Sequence, residues 1–296
     1  MDIIYESSEL FVNIGLITLL VYSVYIFFAV HEFFIEIYTK KITVNYIKEI
    51  SANISVFIPN IATEIMTGNF FLILYVYIGN IIPWSITNNW VTFIICLILV
   101  DFLYYWEHRL EHGVRLFWGY HSVHHSSKIF HYSTTFRVSF IENFTGLLYF
   151  IPAIIIGFDP IMVLISAVLM LAYQTWLHND VIPSLGIFER VFCTPSLHRV
   201  HHGNDDIYID KNFGAIFSIW DQLFSTYQKE LFKPTYGLTI QINTINPVKV
   251  NFYEFISIFK DLWNAKNPSD ILGYLIYTPK WQSANCSNKK SCTLNP

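Results

Sequence analysis

The chain has 296 residues, of which 53 % are hydrophobic and only 14 % are charged. Soluble domains carry roughly 25 % charged residues, so the composition excludes an ordinary water-soluble globule and indicates an integral membrane protein. The net charge of −4 gives no reason to expect nucleic acid as a partner.

The N-terminal part of the chain predicts two membrane spans. Residues 10–30 carry no charge and would form a helix of about 31 Å, which is long enough to cross a bilayer. No basic residue precedes this run, so a retained span is favoured over a cleaved signal peptide. Residues 61–82 predict a second span, although Pro59, Asn60 and Glu64 make its beginning polar.

Three further apolar runs follow. Residues 91–106 predict a third span that leads directly into a pair of histidines. Residues 140–156 and 161–177 are joined by a turn at residues 157–160, and they either cross the membrane fully or form a shallow re-entrant hairpin. In both cases the chain returns to the side that it left, which brings His178 back toward the other histidines.

The distribution of basic residues predicts the orientation in the membrane. None of the 18 lysines and arginines lies in residues 1–30, 83–90 or 157–160. Because basic residues concentrate on the cytoplasmic side, the histidines and the C-terminus are predicted to lie in the cytoplasm. The expected fold is an all-α membrane bundle of about four spans, with a cytosolic helical cap that carries a histidine-rich site for two metals.

The C-terminal region has apolar residues at helical spacing in two places, residues 213–227 and residues 252–263. They are interpreted as core helices of the cap, with helices lying on the membrane surface as the alternative. The predicted boundaries are residues 1–90 for an N-terminal membrane region, 91–237 for the catalytic domain and 238–282 for an amphipathic extension. Residues 283–296 form a polar tail that is predicted to be disordered.

Histidines are the most informative residues of the chain, because ten of the eleven lie between positions 108 and 202. On a helix, positions i and i+4 share a face, so HRLEH directs two imidazoles at one point, and HSVHH and HRVHH direct at least two each. Nine histidines exceed the ligand number of one ion, so two metal ions are the simplest interpretation. Imidazole suits zinc, copper, iron and nickel alike. The nine are His108, His112, His121, His124, His125, His178, His198, His201 and His202.

Three alternatives to a two-metal site account for fewer of these residues. Nine histidines without a metal would require many desolvated imidazoles, each costing about 1–3 kcal/mol when unpaired. HRLEH also matches the H-x-x-E-H pattern of a class of zinc peptidases with Glu111 as general base, but this leaves most of the histidines without a role. A metal transporter would hold its ions near the membrane midplane, whereas these histidines follow the ends of spans.

Carboxylates near the histidines are predicted to support them. Metal-bound imidazoles usually donate their other N–H group to a carboxylate or a carbonyl. Asp101 precedes His108 on the same helix face, and an acid within a membrane span is functional by default. Asp180 is the second predicted catalytic carboxylate, although a solvated loop position is the competing interpretation.

The histidine motifs of the chain resemble those of a known family. HRLEH, HSVHH and HRVHH resemble the three histidine boxes of the fatty acid hydroxylase/sterol desaturase superfamily of membrane di-iron oxygenases. The likeness runs from about residue 101 to residue 237. The motifs DFLYYWEHR, HHSS, TPSLHRVHHG, IDKNFGAIFSIWDQLFSTY and YGL are most similar to the alkylglycerol monooxygenase branch.

The resemblance implies two iron ions bound by the nine histidines, with dioxygen as co-substrate. It also implies hydroxylation or desaturation of a lipid, with ether-lipid cleavage competing with sterol or fatty-acyl oxidation. The sequence shows no haem, flavin or dinucleotide motif, so a separate electron donor is expected, tetrahydrobiopterin for this branch or a partner protein. Some members have a further histidine where this chain has Ile182, so one ligand is either missing or supplied from elsewhere, with His131 as a candidate.

Overall fold

The computed structural model describes residues 19, 23, 24, 26–39, 42–242 and 244–283. Most of the first predicted span and nearly all of the polar tail lie outside these residues. Within the part that is described, the chain is helical and forms no β-strand beyond two isolated bridges. The prediction of an all-α protein is therefore confirmed.

Ten α-helices can be assigned within the described residues, and short 3₁₀ turns connect several of them. They are α1 (residues 26–38), α2 (Val44–Ile81), α3 (Trp90–Gly113), α4 (Arg115–His125), α5 (Ile151–Ile156), α6 (Pro160–Leu177), α7 (Pro195–His201), α8 (Ile219–Leu223), α9 (Pro247–Trp263) and α10 (Pro268–Ile276).

Three of these helices, α2, α3 and α6, are long and apolar enough to cross a membrane. Helix α2 begins at Val44 rather than at residue 61, because its polar N-terminal half faces protein. Asn53 donates to the Ser133 hydroxyl over 2.9 Å, and Asn60 donates to the Ser139 carbonyl over 3.4 Å. Asn60, which made the start of the predicted span polar, thus makes a buried contact in the middle of a longer helix.

The run at residues 140–156 is not a single straight helix. It consists of 3₁₀ turns followed by the six-residue α5, and it runs alongside α2. Asn143 donates to the Asn60 carbonyl near its start, and a Cβ at Gly79 would lie 2.9 Å from Pro160 just after its end. Between those two positions α2 rises about 28 Å, so this irregular segment extends along the C-terminal half of α2.

The turn between α5 and α6 closes one end of the bundle, and α6 returns the chain to the other end. At one end Ile86 N–H donates to the Gly157 carbonyl over 2.8 Å, and Gly157 itself has φ +110°, a left-handed conformation that ends α5. From there α6 packs along α3 and returns to the opposite end. His178 follows the last residue of α6, so the predicted return of this histidine is confirmed.

The segment at residues 213–227 corrects the sequence interpretation, because only α8 within it is α-helical. Two buried carboxylates hold the backbone in an extended loop instead. Asp221 accepts from Phe213 N–H and Asp101 accepts from Ile216 N–H. These carboxylates accept backbone N–H groups that a helix would pair with its own carbonyls, and the spacing of apolar residues does not predict such contacts. Helix α9, by contrast, confirms the helix predicted over residues 252–263.

Candidate metal centre

Helices α3 and α4 form the first half of a histidine cluster. A break at Val114 turns the chain back, so that α4 lies against the end of α3. His108 Nε2 then lies 3.1 Å from His121 Nε2, and His112 Nε2 lies 3.2 Å from His125 Nε2. Helix α7 adds His201, whose ring centroid lies 4.3 Å from that of His108. These five histidines, all buried, form one group of converging nitrogens.

A second group lies directly beside the first. His178 Nε2 is 3.1 Å from His124 Nε2 and 3.0 Å from His198 Nε2, and His202 completes the set. The potential ligand atoms within each group lie within 4.8 Å of one another. The rings of His125 and His202, one from each group, have centroids 4.4 Å apart. All nine histidines singled out in the sequence therefore meet in two adjacent groups.

Hydrogen bonds on the outer side of the cluster fix which ring nitrogen carries the proton. Three Nδ1 atoms donate to backbone carbonyls: His108 to Phe213 over 3.0 Å, His178 to Gln174 over 3.0 Å and His201 to Lys211 over 2.9 Å. A neutral imidazole has one N–H group, so each Nε2 keeps a lone pair that faces the interior.

His201 indicates that the interior suits a cation. Its Nδ1 donates to the Lys211 carbonyl over 2.9 Å, so its Nε2 carries a lone pair. That Nε2 is buried and has no hydrogen-bond partner among the described residues. A metal ion within the group of five histidines would satisfy this lone pair.

The spacing also fits an ion. A metal–nitrogen bond of about 2.1 Å places two ligand nitrogens at right angles about 3.0 Å apart. The Nε2–Nε2 distances of 3.0–3.2 Å match this separation. The donor set is all imidazole, which suits transition metals, and each of the two groups has enough nitrogens for one ion.

Asp101 lies elsewhere than predicted. Its hydrogen bonds come from Ile216 N–H (2.7 Å), Phe217 N–H (3.2 Å) and Trp220 Nε1 (2.8 Å), and none of them comes from a histidine. It fixes the loop that contains Phe213, whose carbonyl accepts from His108. Asp101 therefore positions a histidine through the backbone.

Replacing Asp101 with alanine is expected to destabilise the protein by about 3 kcal/mol, because it leaves several buried donors without an acceptor. Thermal unfolding of the purified protein in detergent measures this loss. Asp206, which is exposed, gives the matched control, and Asp206→Ala should unfold at the wild-type temperature. Equal unfolding temperatures for the two variants would contradict the role of Asp101.

Asp180, the other predicted catalytic carboxylate, also makes no contact with a histidine. Its side chain pairs with Lys233 and accepts from the Tyr236 hydroxyl. The loop around it is held by Arg199, which donates to the carbonyls of Asn179 and Ile182. Ile182, the position at which the resemblance implies a histidine in some members, thus contributes a backbone carbonyl that holds the loop after His178.

His131 lies outside both groups. Its Nδ1 accepts from Ser133 N–H over 2.9 Å, so the proton lies on Nε2, which is 3.2 Å from Glu32 Oε2 and 3.7 Å from Glu36 Oε2. His131 therefore contributes to neither histidine group and belongs to a separate buried set of potential ligand atoms with Glu32 and Glu36. Glu32 also accepts from Tyr132 N–H over 2.7 Å and ties α1 to the loop next to the second histidine group.

Glu32 gives a pH prediction. Burial raises the pKa of Glu32 to about 8, so the folded protein holds a proton that the unfolded chain releases near pH 4.5. The stability that this proton contributes is therefore fully present at low pH and is lost as pH rises through 8. Between pH 6.5 and 8, histidines of ordinary pKa change charge less than at lower pH. Over this range the free energy of unfolding of wild type is expected to fall by about 1–2 kcal/mol relative to that of Glu32→Gln. Thermal unfolding across this range tests it, and parallel curves would contradict it.

Several supporting residues carry no signal in the sequence. Glu111 belongs to the peptidase-like pattern there, yet in the fold it contacts His121. Asp210 Oδ1 lies 3.4 Å from His112 Nδ1, and Asp210 has φ +57°. Asp221 holds the Phe213 loop. Each contact joins segments whose meeting depends on the tertiary fold, so residue spacing could not reveal it.

A cavity of about 90 Å³ opens on the histidines from outside the bundle. Its lining includes His112 and His125 of the first group and His202 of the second, together with Trp118 and Lys280. The same cavity therefore borders both groups. Taken together, these features define a membrane-helix protein with two adjacent imidazole sites that fit two metal ions.

Comparison with known proteins gives the family. Residues 93–226 match the family model "Fatty acid hydroxylase". Alkylglycerol monooxygenase from Homo sapiens is 36 % identical over 200 residues, covering 68 % of this chain and 44 % of that protein. The Xenopus tropicalis protein of that name is 36 % identical over 213 residues, covering 70 % and 47 %. Ornithine lipid hydroxylase from Rhizobium tropici is 34 % identical over 134 residues, covering 44 % and 40 %.

The chain belongs to the fatty acid hydroxylase superfamily, and its resemblance to the alkylglycerol monooxygenase branch is confirmed. It spans about half the length of the curated relatives that it matches first. No solved structure matches the chain.

Proposed function

We propose that this protein is a membrane-bound di-iron oxygenase that hydroxylates a C–H bond of a lipid, with an ether lipid as the favoured substrate class. The observation that supports this most directly is the meeting of nine histidines in two adjacent groups beside three helices of membrane-spanning length. The names of the alkylglycerol monooxygenase relatives support an ether lipid as the substrate. Hydroxylation would then fall on the carbon next to the ether oxygen.

The division of the histidines into two groups supports one ion for each group. One iron would be held by the first group and the other by the second, so that each ion keeps only neutral ligands. When bound, the two ions would supply the redox chemistry that activates dioxygen. The overall reaction consumes the substrate C–H bond, dioxygen, two electrons and two protons, and it yields an alcohol and water. The first group comprises His108, His112, His121, His125 and His201, and the second comprises His124, His178, His198 and His202.

The supporting residues orient these imidazoles. Carbonyls of Phe213, Gln174 and Lys211 accept the outer protons of three histidines, and Glu111 Oε2 lies 3.0 Å from His121 Nδ1. Such contacts keep the inner lone pairs directed at the ions. Apart from the cavity beside Trp118, the buried surroundings of the cluster keep water away from the histidines.

The position of the cluster along α3 suits a lipid substrate. His108 follows Trp90, the first residue of α3, after a rise of about 27 Å, so it lies near the end of a hydrocarbon core about 30 Å thick. A lipid in the bilayer can therefore bring its chain to the cluster without leaving the membrane. The distribution of basic residues along the sequence supports a cytoplasmic position for this end.

Electrons are proposed to come from a soluble donor of the pterin class, or from a separate protein, through the cavity beside Trp118 and Lys280. This cavity reaches both histidine groups from outside the bundle. The position of the cluster near the ends of α3 and α6 disfavours a transporter with a midplane site. The contact of Glu111 with His121 disfavours a peptidase in which that glutamate would activate water.

Lipid analysis under labelled dioxygen tests the proposal. Membranes from cells that express the protein should gain one labelled oxygen atom in a single lipid class, and the purified protein should contain two iron ions. Cells with a His201→Ala variant are the control and should gain none. A product with an added double bond, or a labelled sterol or acyl chain, would redirect the substrate assignment within the superfamily. Metal uptake without any lipid change would overturn the proposal.

A further inference from the structure

Helix α9 is buried on its polar side. Asn251, Glu254 and Ser257 face the protein and are 1 %, 3 % and 6 % exposed. Arg115 of α4 fixes this orientation, since its Nε lies 3.1 Å from Glu254 and its Nη2 lies 2.6 Å from Asp261. The polar groups that would normally face water thus form the contact with the rest of the molecule.

The opposite side of α9 carries an exposed apolar stripe. At 100° per residue, the five stripe positions fall within an arc of roughly 80°, centred away from the buried face. Both ends of the stripe are strongly exposed, with Val248 at 64 %, Phe259 at 63 % and Trp263 at 80 %. The stripe comprises Val248, Phe252, Ile256, Phe259 and Trp263.

A stripe of this kind is unfavourable in contact with water. An amphipathic helix on a soluble protein buries its apolar side, and a contiguous exposed apolar surface marks a contact with a partner or a membrane. Because Arg115 binds the polar side, α9 cannot roll over to bury the stripe without breaking buried ion pairs. The surface that covers the stripe must therefore lie outside the described chain.

The neighbours of α9 point to a lipid bilayer as that surface. Val250 of α9 packs in one cluster with Val56 of α2, a helix of membrane-spanning length whose outer side exposes Ile54 (49 %) and Ile58 (64 %). Helix α9 therefore packs directly against a helix of the membrane bundle, with its stripe on the side away from this contact. The ring of Phe252 also contacts Phe140, at 5.9 Å between centroids.

Charge and aromatic placement also fit a membrane surface. Lys249 and Lys260 are exposed, and at 100° per residue they border the stripe on one side. Lysines there can extend their ammonium groups to lipid phosphates while their methylene chains stay in the apolar layer. Trp263 ends the helix, and tryptophan is enriched at the membrane–water boundary.

We propose that α9 lies in the plane of the membrane as an interfacial helix, with the apolar stripe inserted at the boundary of headgroups and acyl chains. The lysines at its border contact the phosphates. This surface lies outside the matched hydroxylase domain and does not depend on which reaction the cluster catalyses.

The proposal gives α9 a role in placing the cluster. Helix α4 carries His121, His124 and His125, and it meets α9 closely: a Cβ at Gly119 would lie 2.9 Å from Phe255. Together with the ion pairs of Arg115, this contact makes α4 and α9 one unit. An interfacial α9 therefore sets the depth of the α4 histidines (His121, His124 and His125) relative to the lipid.

Spin labels on the full-length protein in nanodiscs test the proposal. Single cysteines replace Ile256 or Phe259 in the stripe, and Asn264 or Asp206 as exposed polar controls outside the stripe and its lysine border, in a background without the four native cysteines. Labels in the stripe should collide at least threefold more often with oxygen than with a water-soluble nickel complex, relative to the controls. Equal accessibility of stripe and control labels to the nickel complex would overturn the proposal. So would protection from both reagents with dipolar broadening, which means that a second copy covers the stripe.

A second measurement needs no cysteine replacement and therefore covers failure of that background. The fluorescence difference between wild type and Trp263→Phe reports on Trp263 alone. This difference should be quenched by lipids brominated near the headgroup and not by aqueous iodide. Quenching by iodide and not by the brominated lipid would overturn the proposal.

Discussion

Replacing His198 with alanine is expected to remove one of two bound metal ions and to lower lipid oxidation by more than about 100-fold. Loss of residues that only support a ligand typically costs 10–100-fold, so loss of a ligand should cost more. His198 Nε2 lies 3.0 Å from His178 Nε2 in the group of four, and three nitrogens would remain there. The five-histidine group stays intact, so the metal content should fall from two ions to one.

Metal analysis and turnover of the purified proteins measure these two effects. His31→Ala is the matched control, because His31 is exposed and its ring contacts only Phe27 among the described aromatic pairs. This variant should keep both ions and full activity. A chelator should also lower the unfolding temperature of wild type more than that of His198→Ala, because bound metal stabilises the folded state by mass action. Retention of two ions by His198→Ala would refute the assignment of this group.

Replacing Arg115 with leucine is expected to reduce the free energy of unfolding by about 3–5 kcal/mol. Arg115 is fully buried, and its partners Glu254 and Asp261 have side chains only 3 % and 13 % exposed. Breaking a buried ion pair from one side leaves uncompensated charge, which costs about this much. Replacing Arg115, Glu254 and Asp261 together with leucine, leucine and asparagine should restore most of the stability.

Chemical or thermal unfolding in detergent measures this series. Arg190→Leu is the control, because Arg190 is exposed and a surface substitution usually changes stability by less than about 0.5 kcal/mol. The result does not depend on metal, since the ion pairs lie on the far side of α4 from the histidines. An Arg115→Leu variant as stable as the Arg190→Leu control would show that these ion pairs do not hold α9 in place.

Within the histidine region, the sequence predicted the parts of the site that depend on local spacing. An i, i+4 repeat places His108 and His112 on one face of α3 wherever that helix goes, and the same holds for His121 and His125 on α4. High apolar content and low charge similarly required membrane-spanning helices. These features depend on helix geometry and on the transfer of apolar side chains out of water. Both properties can be read from residues that are close together in the sequence.

The supporting contacts could not be predicted in this way. The sequence predicts that Asp101 and Asp180 hold histidines, whereas one binds the Phe213 loop and the other pairs with Lys233. Glu111, which helical geometry directs away from the ligand face, contacts His121 because α4 folds back against α3. The partner of a carboxylate is decided by which segments meet, and the sequence around the carboxylate does not contain that information.

By itself the sequence determined an all-α membrane protein with nine clustered imidazoles, because helix periodicity and hydropathy are local properties. Only the tertiary structure decided that these imidazoles divide into groups of five and four, and that His131 pairs with Glu32 instead of joining them. It also decided that α9 turns its polar side inward. The physical reason is the same in each case. A buried charge or lone pair without a partner costs more free energy than the favourable spacing of apolar residues along a helix can offset. It therefore pairs with whichever group the packing brings within about 3 Å.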